Sequence, residues 1–291
     1  MSDPGPSQSL SIASPCKVNL HLSIVGRRPD GFHEIETLFH RVSLQDSIHL
    51  QRTCAPGIHV SVSDPGIPSG PENLVWRAAD LFLKHHPQIG GISLHIEKHI
   101  PSGAGLGGGS SNAAATLVGL QRLYGLTLSA DHLRALGASL GADVAFFLAD
   151  TRSAWATGIG EKLTPVDGSP LLWFLIVYPG IHISTQWAYR TFSQDIVLTN
   201  SSKNLKVSNS FRDLSDVCGL MYNDFEQVIF PRYGQIKILK EHLIAAGAAG
   251  ALLSGSGSSV FGVFDTRAAC EAARDSITGI ESYRVFTVHS L

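Results

Sequence analysis

The sequence predicts an α+β chain of two domains, on three observations. Apolar and polar residues alternate strictly at 16–25, and alternate also at 58–63 and 92–100, with the two-residue period of half-buried strands. Apolar residues recur at helical spacing near 74–86, 110–124 and 129–140. Beyond residue 170 the segments run strand, helices, strand, strand, helix, strand, a split βαβ arrangement.

In "CKVNLHLSIV" (16–25), Val18, Leu20, Leu22 and Ile24 take one face, and Lys17, Asn19, His21 and Ser23 the other. Pro and Gly make "GRRPDG" (26–31) a turn. An extended region at 35–44 follows, then short alternating runs at 46–50 and 58–63. "PGIPSGPEN" (65–73) is a loop delivering Asn73 as cap to a helix over roughly 74–86. The strand "ISLHIEKHI" (92–100) runs directly into "PSGAGLGGGSSNAAATLVGL". There Ala113, Leu117, Leu120 and Tyr124 mark a helix, with Ser110 or Ser111 as its natural cap. A further helix starts near Ser129, carries Leu133, Leu136 and Leu140 on one stripe and stops at Gly141. "SAWATGIGEKLTPV" (153–166) reads as a strand and a turn.

From there the pattern changes. "LLWFLIVYP" (171–179) is continuously apolar, as a strand buried on both faces is. Helices are expected around 184–191, 213–230 and 233–246, strands at 250–254 and 258–264, a helix at 267–277 and a last strand at 282–288. With the consecutive helices counted as one crossover, the order is the β-α-β-β-α-β of ferredoxin-like domains. The domain boundary is placed at "DGSP" (167–170), giving domains 1–167 and 168–291. Residues 193–211, rich in Ser and Asn, read as an irregular insertion, and the first 14 as a short disordered tail.

Composition narrows the function. The 291 residues are 44% hydrophobic with a formal net charge of -2, so nothing pulls the chain generally toward nucleic acid or an anionic membrane. Any polyanion must be held by a local site. Four cysteines without CxxC spacing read as reduced thiols, not as a disulfide framework or zinc site. No apolar run approaches the roughly 20 residues that span a bilayer, and the N-terminus lacks the basic start and apolar middle of a secretory signal. The expected location is the cytoplasm.

The glycine-rich stretch formally contains a dinucleotide fingerprint, Gly103-x-Gly105-x-x-Gly108. That fingerprint needs an acid at a strand end about 20 residues on. The acid nearest that distance is Asp131, at the start of a helix. A Walker loop is excluded, because no Gly-Lys-Ser/Thr closes the stretch. A flexible linker would join domains, whereas this segment joins a strand to an amphipathic helix. What fits is a polyphosphate cradle. Glycines expose successive N–H groups, the helix start adds about half a positive charge, and Ser110, Ser111 and Asn112 offer polar side chains. A second loop, "SGSGSS" (254–259), is either a tight turn or a clamp facing the bound phosphate.

Asp143, in "GADVAFFL", is the best candidate acid, since the residues after it are apolar enough to exclude water. Its position fits a helix cap equally well. Lys17 faces water if its strand is a surface strand. If that face lines a cleft, it stabilises phosphate charge, with Asn19 orienting the substrate. "HIEKH" (95–99) lacks HExxH spacing, so His95 and His99 are read as strand residues.

Taken together these motifs resemble the GHMP kinase superfamily, which includes galactokinase and the homoserine and mevalonate kinases. The resemblance rests on "SPCKVNLHL" (14–22), "GRRPDGFHEIETLF" (26–39), "GAGLGGGSSNAAATL" (103–117), "LGADVAFF" (140–147) and "LSGSGSSVF" (253–261), in the expected order. It implies an N-terminal α/β domain like domain 2 of ribosomal protein S5, a ferredoxin-like C-terminal domain, and an active site in the cleft between them. The "RPDGFHEIETLF" element points to the branch that phosphorylates a cytidine-diphosphate-linked methylerythritol on its 2-hydroxyl. ATP and Mg²⁺ are the implied cofactors, with Ser111 a possible metal ligand. Carried onto this chain, the resemblance makes Lys17 and Asp143 the catalytic pair. Pro101, Gly103, Ala104, Gly105, Leu106, Gly107, Gly108, Gly109, Ser110 and Ser111 become the ATP loop. Asn19, Phe32, His33, Tyr189, Gly255 and Ser256 become substrate contacts, with Phe32 and His33 holding the cytosine and Tyr189 its opposing aromatic. Two departures stand out: Ser-Pro-Cys-Lys where the family usually has Ala-Pro-Ala-Lys, and Ala145 where a proline is usual.

Overall fold

A computed structural model of the chain describes residues 8–168, 170–195, 210–277 and 283–291. The chain divides into two compact units. One takes the chain up to Cys16, Gln45–Ser102 and Gly107–Asp150; the other takes Lys17–Leu44, Gly103–Leu106 and Thr151–Leu291. The boundary expected at 167–170 lies within the second of these. Strands β1 (Ser9–Arg27) and β2 (His33–Thr53) each contribute to both units.

In the first unit, β4 (Gly91–Glu97) pairs antiparallel with β2 from Ser47↔Glu97 to Thr53↔Gly91. On its other side it pairs parallel with β3 (Ile58–Val62). Ile48, Leu50, Leu94 and Ile96 from these strands share a core with Phe82 of α1 (Leu74–His85) and Leu117 and Leu120 of α2 (Gly108–Leu123). Helix α2 is buried almost all round, Ser111 through Leu117 without a break. Its alanines are what such a position requires, since a helix closed in on every side has no room for a polar face. At its C-terminal end the Arg52 guanidinium donates to the Leu123 carbonyl and lies 4.6 Å over the Tyr124 ring. A last-turn carbonyl is thereby satisfied.

The expected caps are present: Asn73 accepts from the Val75 amide, and Ser129 from the His132 amide at the start of α3 (Ala130–Leu140). Gly137 lets α4 (Ala142–Leu148) pack closely on α3, because a Cβ there would run into Leu148.

Three local expectations need correction. Residues 9–14 belong to β1, not to a tail; the first seven residues of the expected tail lie outside the described residues. The separate runs at 35–44 and 46–50 are one strand, β2. It reads as two because its neighbours change: Thr37–His40 pair with β5 (Ser153–Thr157), whereas Ser47–Thr53 pair with β4. Each partner imposes its own pattern of burial. The helix expected over 213–230 is α6 (Leu214–Leu220) and α7 (Glu226–Ile229), interrupted by a two-residue strand, β8 (Tyr222–Asn223), parallel to β1.

The second unit holds β5 paired with β6 (Lys162–Val166), and a separate four-stranded antiparallel sheet. That sheet has the order β11-β7-β10-β9, with β7 (Trp173–Tyr178), β9 (Gly250–Leu253), β10 (Val260–Phe264) and β11 (Arg284–His289). Helices α5 (Thr185–Asp195), α6, α7 and α8 (Gly234–Ala245) fall between β7 and β9, and α9 (Arg267–Ile277) between β10 and β11. This is the expected ferredoxin-like order. The insertion expected at 193–211 falls mostly on 196–209, outside the described residues, and so does the start of the last strand.

His40 marks the interior of this unit. It is 1% exposed, and its Nδ1 and Nε2 meet the Ser153 and Ser290 hydroxyls at 2.7 and 2.8 Å. Burial, helped by the Arg152 charge, pushes its pKa down to about 3.

Candidate active site

The polar row of β1 does not face water. Lys17 is 4% exposed and Asn19 2%. A buried ammonium is expensive unless its hydrogens are placed. Here Lys17 Nζ donates to Asn19 Oδ1 at 2.6 Å and to the Gly105 carbonyl at 3.2 Å, and stands 5.3 Å from the centre of the Phe39 ring. Asn19 Nδ2 donates on to Thr37 Oγ1 at 2.8 Å, and that hydroxyl donates to the His21 carbonyl at 2.6 Å. Because Thr37 Oγ1 spends its one hydrogen on the His21 carbonyl and the lysine can only donate, the Asn19 amide turns its nitrogen to Thr37 and its oxygen to the lysine. The Lys17 amide also donates to the Leu106 carbonyl, at 3.1 Å.

The glycine turn 103–106 is thus attached to β1, and it is attached equally to the second glycine loop. Ser254 Oγ donates to the Gly105 carbonyl at 2.9 Å, and the Ser259 amide to the Ala104 carbonyl at 3.2 Å. Gly105 has φ +76°, and a Cβ on it would collide with the Ser254 carbonyl oxygen. Only glycine fits. Ala104 and Leu106 are buried anchors on either side. Gly255 comes so close to β1 that a Cβ on it would lie 3.4 Å from Asn19 Oδ1. Lys17, Asn19, Gly105, Ser254 and Gly255 are therefore brought together.

The remainder of the first loop belongs to the other unit. Gly107, with φ +70°, is the N-cap of α2, and the helix starts at Gly108. This corrects the expectation of a serine cap: Ser110 and Ser111 lie in the first turn. The first amides of the helix have no helical partner and carry the positive end of its dipole. Ser111 Oγ donates to the Pro15 carbonyl at 2.6 Å and accepts from Ser14 Oγ at 2.8 Å, and the residue is buried. Its one hydrogen is thus spent inward, on the main chain just before Lys17. Among the described residues no three His, Cys, Asp or Glu side chains are grouped to hold a metal. Pro101 is buried, and Asp46 fixes the approach to the loop: its carboxylate accepts from the His99 and Ile100 amides at 2.7 and 2.8 Å and from the Lys98 ammonium. Asp143 is in the same unit, in the first turn of α4, whose N-cap is Gly141. A carboxylate there gains from the helix dipole without being the cap.

Phe32 is 59% exposed. His33 stacks on Tyr189, with ring centres 4.9 Å apart and planes 18° from parallel, and Phe225 meets Tyr189 edge-on at 4.9 Å. One face of Tyr189, expected to lie open for a base, is therefore covered by the imidazole. Burial, with Arg27 adding to it, lowers the His33 pKa. Ser256 Oγ meets Thr185 Oγ1 at 2.8 Å.

Several supporting residues escaped the sequence reading. Asn223 donates to the Leu253 and Gly255 carbonyls, both at 2.8 Å, and so holds the second glycine loop from behind. Asp224 accepts from the Ile24 amide at 2.6 Å and from Tyr222 at 2.6 Å, with burial and that carboxylate pushing the tyrosine up to about 12. Glu226 accepts from the Leu253 amide at 3.0 Å. The His182 ring lies against Gly103, which has no room for a Cβ, and the Ile181 carbonyl accepts from Ser258. The only sequence signal for the first group was the run "NDFE" breaking a helical pattern.

Family models match the two halves of the chain: the GHMP kinases N terminal domain at residues 73–150 and the GHMP kinases C terminal domain at 203–279. The chain belongs to the GHMP kinases. Among curated relatives, the 4-diphosphocytidyl-2-C-methyl-D-erythritol kinase of Geobacter sp. (strain M21) is 45% identical over 95% of this chain and 96% of its own length. That of Geobacter metallireducens is 43% identical over 98% and 99%. A crystal structure of 4-(cytidine 5'-diphospho)-2C-methyl-D-erythritol kinase superposes with a TM-score of 0.80 at 34% identity, covering 97% of this chain and all of that one. Homoserine kinase from Cytophaga hutchinsonii shares the fold of this GHMP kinase, with a TM-score of 0.74 at 18% identity over the whole chain and 97% of its own. No helix among the described residues is long and apolar enough to cross a membrane.

Proposed function

We propose that this GHMP kinase transfers the γ-phosphoryl group of ATP to the 2-hydroxyl of 4-(cytidine 5'-diphospho)-2-C-methyl-D-erythritol. The products are the 2-phosphate and ADP, a step of the non-mevalonate route to isoprenoid precursors. The observation that carries the reading is the Lys17 ammonium, buried, oriented by Asn19 and hydrogen-bonded to the Gly105 carbonyl of the phosphate loop. A loop with no lysine of its own is supplied with a fixed cation by strand β1. Relatives of near-equal length support the substrate.

In the transfer, a bond forms between the acceptor oxygen and the γ-phosphorus while the β,γ-bridging bond breaks and leaves with ADP. Protein catalysis of such a step is positioning and charge stabilisation. The amides of 103–111 hold the triphosphate. Lys17 stabilises the acceptor oxygen and the phosphoryl charge, and Asp143 orients the hydroxyl and takes its proton. A magnesium ion bound with ATP would neutralise phosphate charge there, held largely by phosphate and water oxygens. The exposed Phe32 ring stacks on the cytosine, His33 reads its edge, and Gly255 and Ser256 border the substrate phosphates. The division into domains 1–167 and 168–291 is supported by one family match in each, although the compact units interleave across it.

The test is ADP release by the purified protein across a panel of acceptors, with and without the cytidine group. Turnover confined to the cytidine-linked acceptor, and lost in Asp143→Ala and Lys17→Ala, is expected. Equal turnover of mevalonate or homoserine would replace the substrate, and full turnover by Asp143→Ala would remove that residue from its role.

A further inference from the structure

The side chain of Asn223 can sit in only one way. Its Nδ2 donates to the Leu253 and Gly255 carbonyls, both at 2.8 Å, and its Oδ1 accepts from the Phe225 amide at 2.9 Å. A carbonyl only accepts and an amide N–H only donates, so turning the side chain over would lose all of these bonds. The residue is 2% exposed. Strand β1 sets its place: Asn223 is opposite Leu22 in the β1–β8 pairing, and the Asp224 amide donates to the Leu22 carbonyl at 3.0 Å. The two carbonyls it holds fix two peptide planes of the second glycine loop. In a trans peptide the C=O and the following N–H point opposite ways. With its carbonyl on Asn223, the Leu253–Ser254 peptide sends the Ser254 amide to the far side, where it donates to the Ser259 carbonyl at 2.9 Å. The Gly255–Ser256 peptide is also trans, so the Ser256 amide too points away from Asn223. Among the described residues that amide has no acceptor, although Ser256 is only 6% exposed. A buried N–H without a partner is rare, and here it marks a place for an oxygen from a ligand. Gly255 has no side chain to stop that peptide from turning over. Asn223 does so.

We propose that Asn223 is a positioning residue for the acceptor: it holds the Gly255–Ser256 peptide so that the Ser256 amide, and not the Gly255 carbonyl oxygen, meets a phosphate oxygen of the substrate. This rests on the proposed substrate and deepens it, since that oxygen belongs to the diphosphate of the cytidine-linked acceptor. Turned over, the same peptide would set a carbonyl oxygen against an anion, and a donor would become a source of repulsion. Aspartate has the shape of asparagine but, as a carboxylate, only accepts. In this position it would face two carbonyl oxygens, and the turned-over peptide would relieve it by offering the Ser256 N–H. Alanine removes both donors without rewarding the turn. Polarity at position 223 therefore decides which end of the peptide a phosphate meets, although Asn223 itself touches no substrate.

Two measurements on the full-length protein test it. In wild type labelled with ¹⁵N-serine, cytidine 5'-diphosphate should move the Ser256 amide proton downfield, and cytidine, which has no phosphate, should leave it in place. In Asn223→Asp the diphosphate should no longer move it. In kinetics, Asn223→Asp should raise KM for the cytidine-linked acceptor about 30- to 100-fold and Asn223→Ala about 5- to 10-fold, each leaving KM for ATP within about threefold. A role in folding alone would lower Tm and disturb both constants alike. A wild-type Ser256 amide that the diphosphate does not move, or that cytidine moves as far, would overturn the proposal without need of any variant. So would an Asn223→Asp enzyme whose KM for the acceptor rises no more than its KM for ATP. If the diphosphate moves the amide but wild type does not turn over the cytidine-linked acceptor, the proposed function fails, and the hold of Asn223 on a phosphate-binding amide survives it.

Discussion

Strands β1 and β4 carry the same kind of pattern and do opposite things with it. Both alternate, "KVNLHLS" in one and "ISLHIEKH" in the other, and both put histidines on the polar row. On β1 that row is buried and its hydrogen bonds form a directed chain from Lys17 through Asn19 to Thr37. On β4 the row is solvated. His95 meets Ser61 at 2.8 Å and stands 6.0 Å, ring to ring, from His49, while Glu97 is 3.6 Å from His49 Nε2. Alternation tells which residues share a face. It does not tell what covers that face, and burial is what turns a row of polar side chains into a placed set of charges.

The contrast can be broken by experiment. The largest effect is expected for Lys17→Met, which keeps the stem and removes the charge: kcat should fall by about 10³- to 10⁴-fold with little change in Tm. A fall below tenfold would make the buried row structural only. Next comes Gly105→Ala, which forces a side chain into the Ser254 carbonyl at φ +76° and should cost about 2–4 kcal/mol in urea unfolding, with weakened ATP binding. Asn19→Leu should lower kcat by about 10- to 100-fold, because the ammonium loses its orienting oxygen.

A smaller effect comes from His40. In the folded chain it takes a proton only near pH 3, whereas an unfolded imidazole takes one near 6.5. Its contribution is therefore complete above pH 6.5 and is lost as pH falls toward 3, at no more than about 1.4 kcal/mol per unit. His40→Gln should flatten that part of the stability profile. On β4, His95→Ala and Glu97→Gln should each change stability by less than about 0.5 kcal/mol and leave turnover alone, as surface positions do. A large loss from either would mean that the two rows are less different than their exposure says.

The same distinction explains what could be read in advance. The Asn73 and Ser129 caps, the ferredoxin-like order and the two glycine loops were legible, because each depends on local chemistry or on period. The start of α2 was not. A serine is the better cap by side chain, but Gly107 can turn left-handed and gains the position by backbone. Nor was the two-residue β8 legible, since a strand that short has no period. Asn223 was missed for the same reason. Its role depends on carbonyls 30 and 32 residues away in sequence. Tyr189 was found as an aromatic, but the imidazole covering it is a tertiary fact that no spacing predicts.

Strand β1 has a further implication for how this kinase evolves. Its odd-numbered positions hold Lys17 and Asn19 and its even-numbered ones the aliphatic core, so inserting or deleting one residue ahead of Lys17 would swap the two sets. Length changes in the first segment are therefore tolerable only where the chain can absorb them before the ladder begins. Relatives should vary freely in how far they extend at the amino end, and hardly at all in the spacing from Ser14 to Ile24.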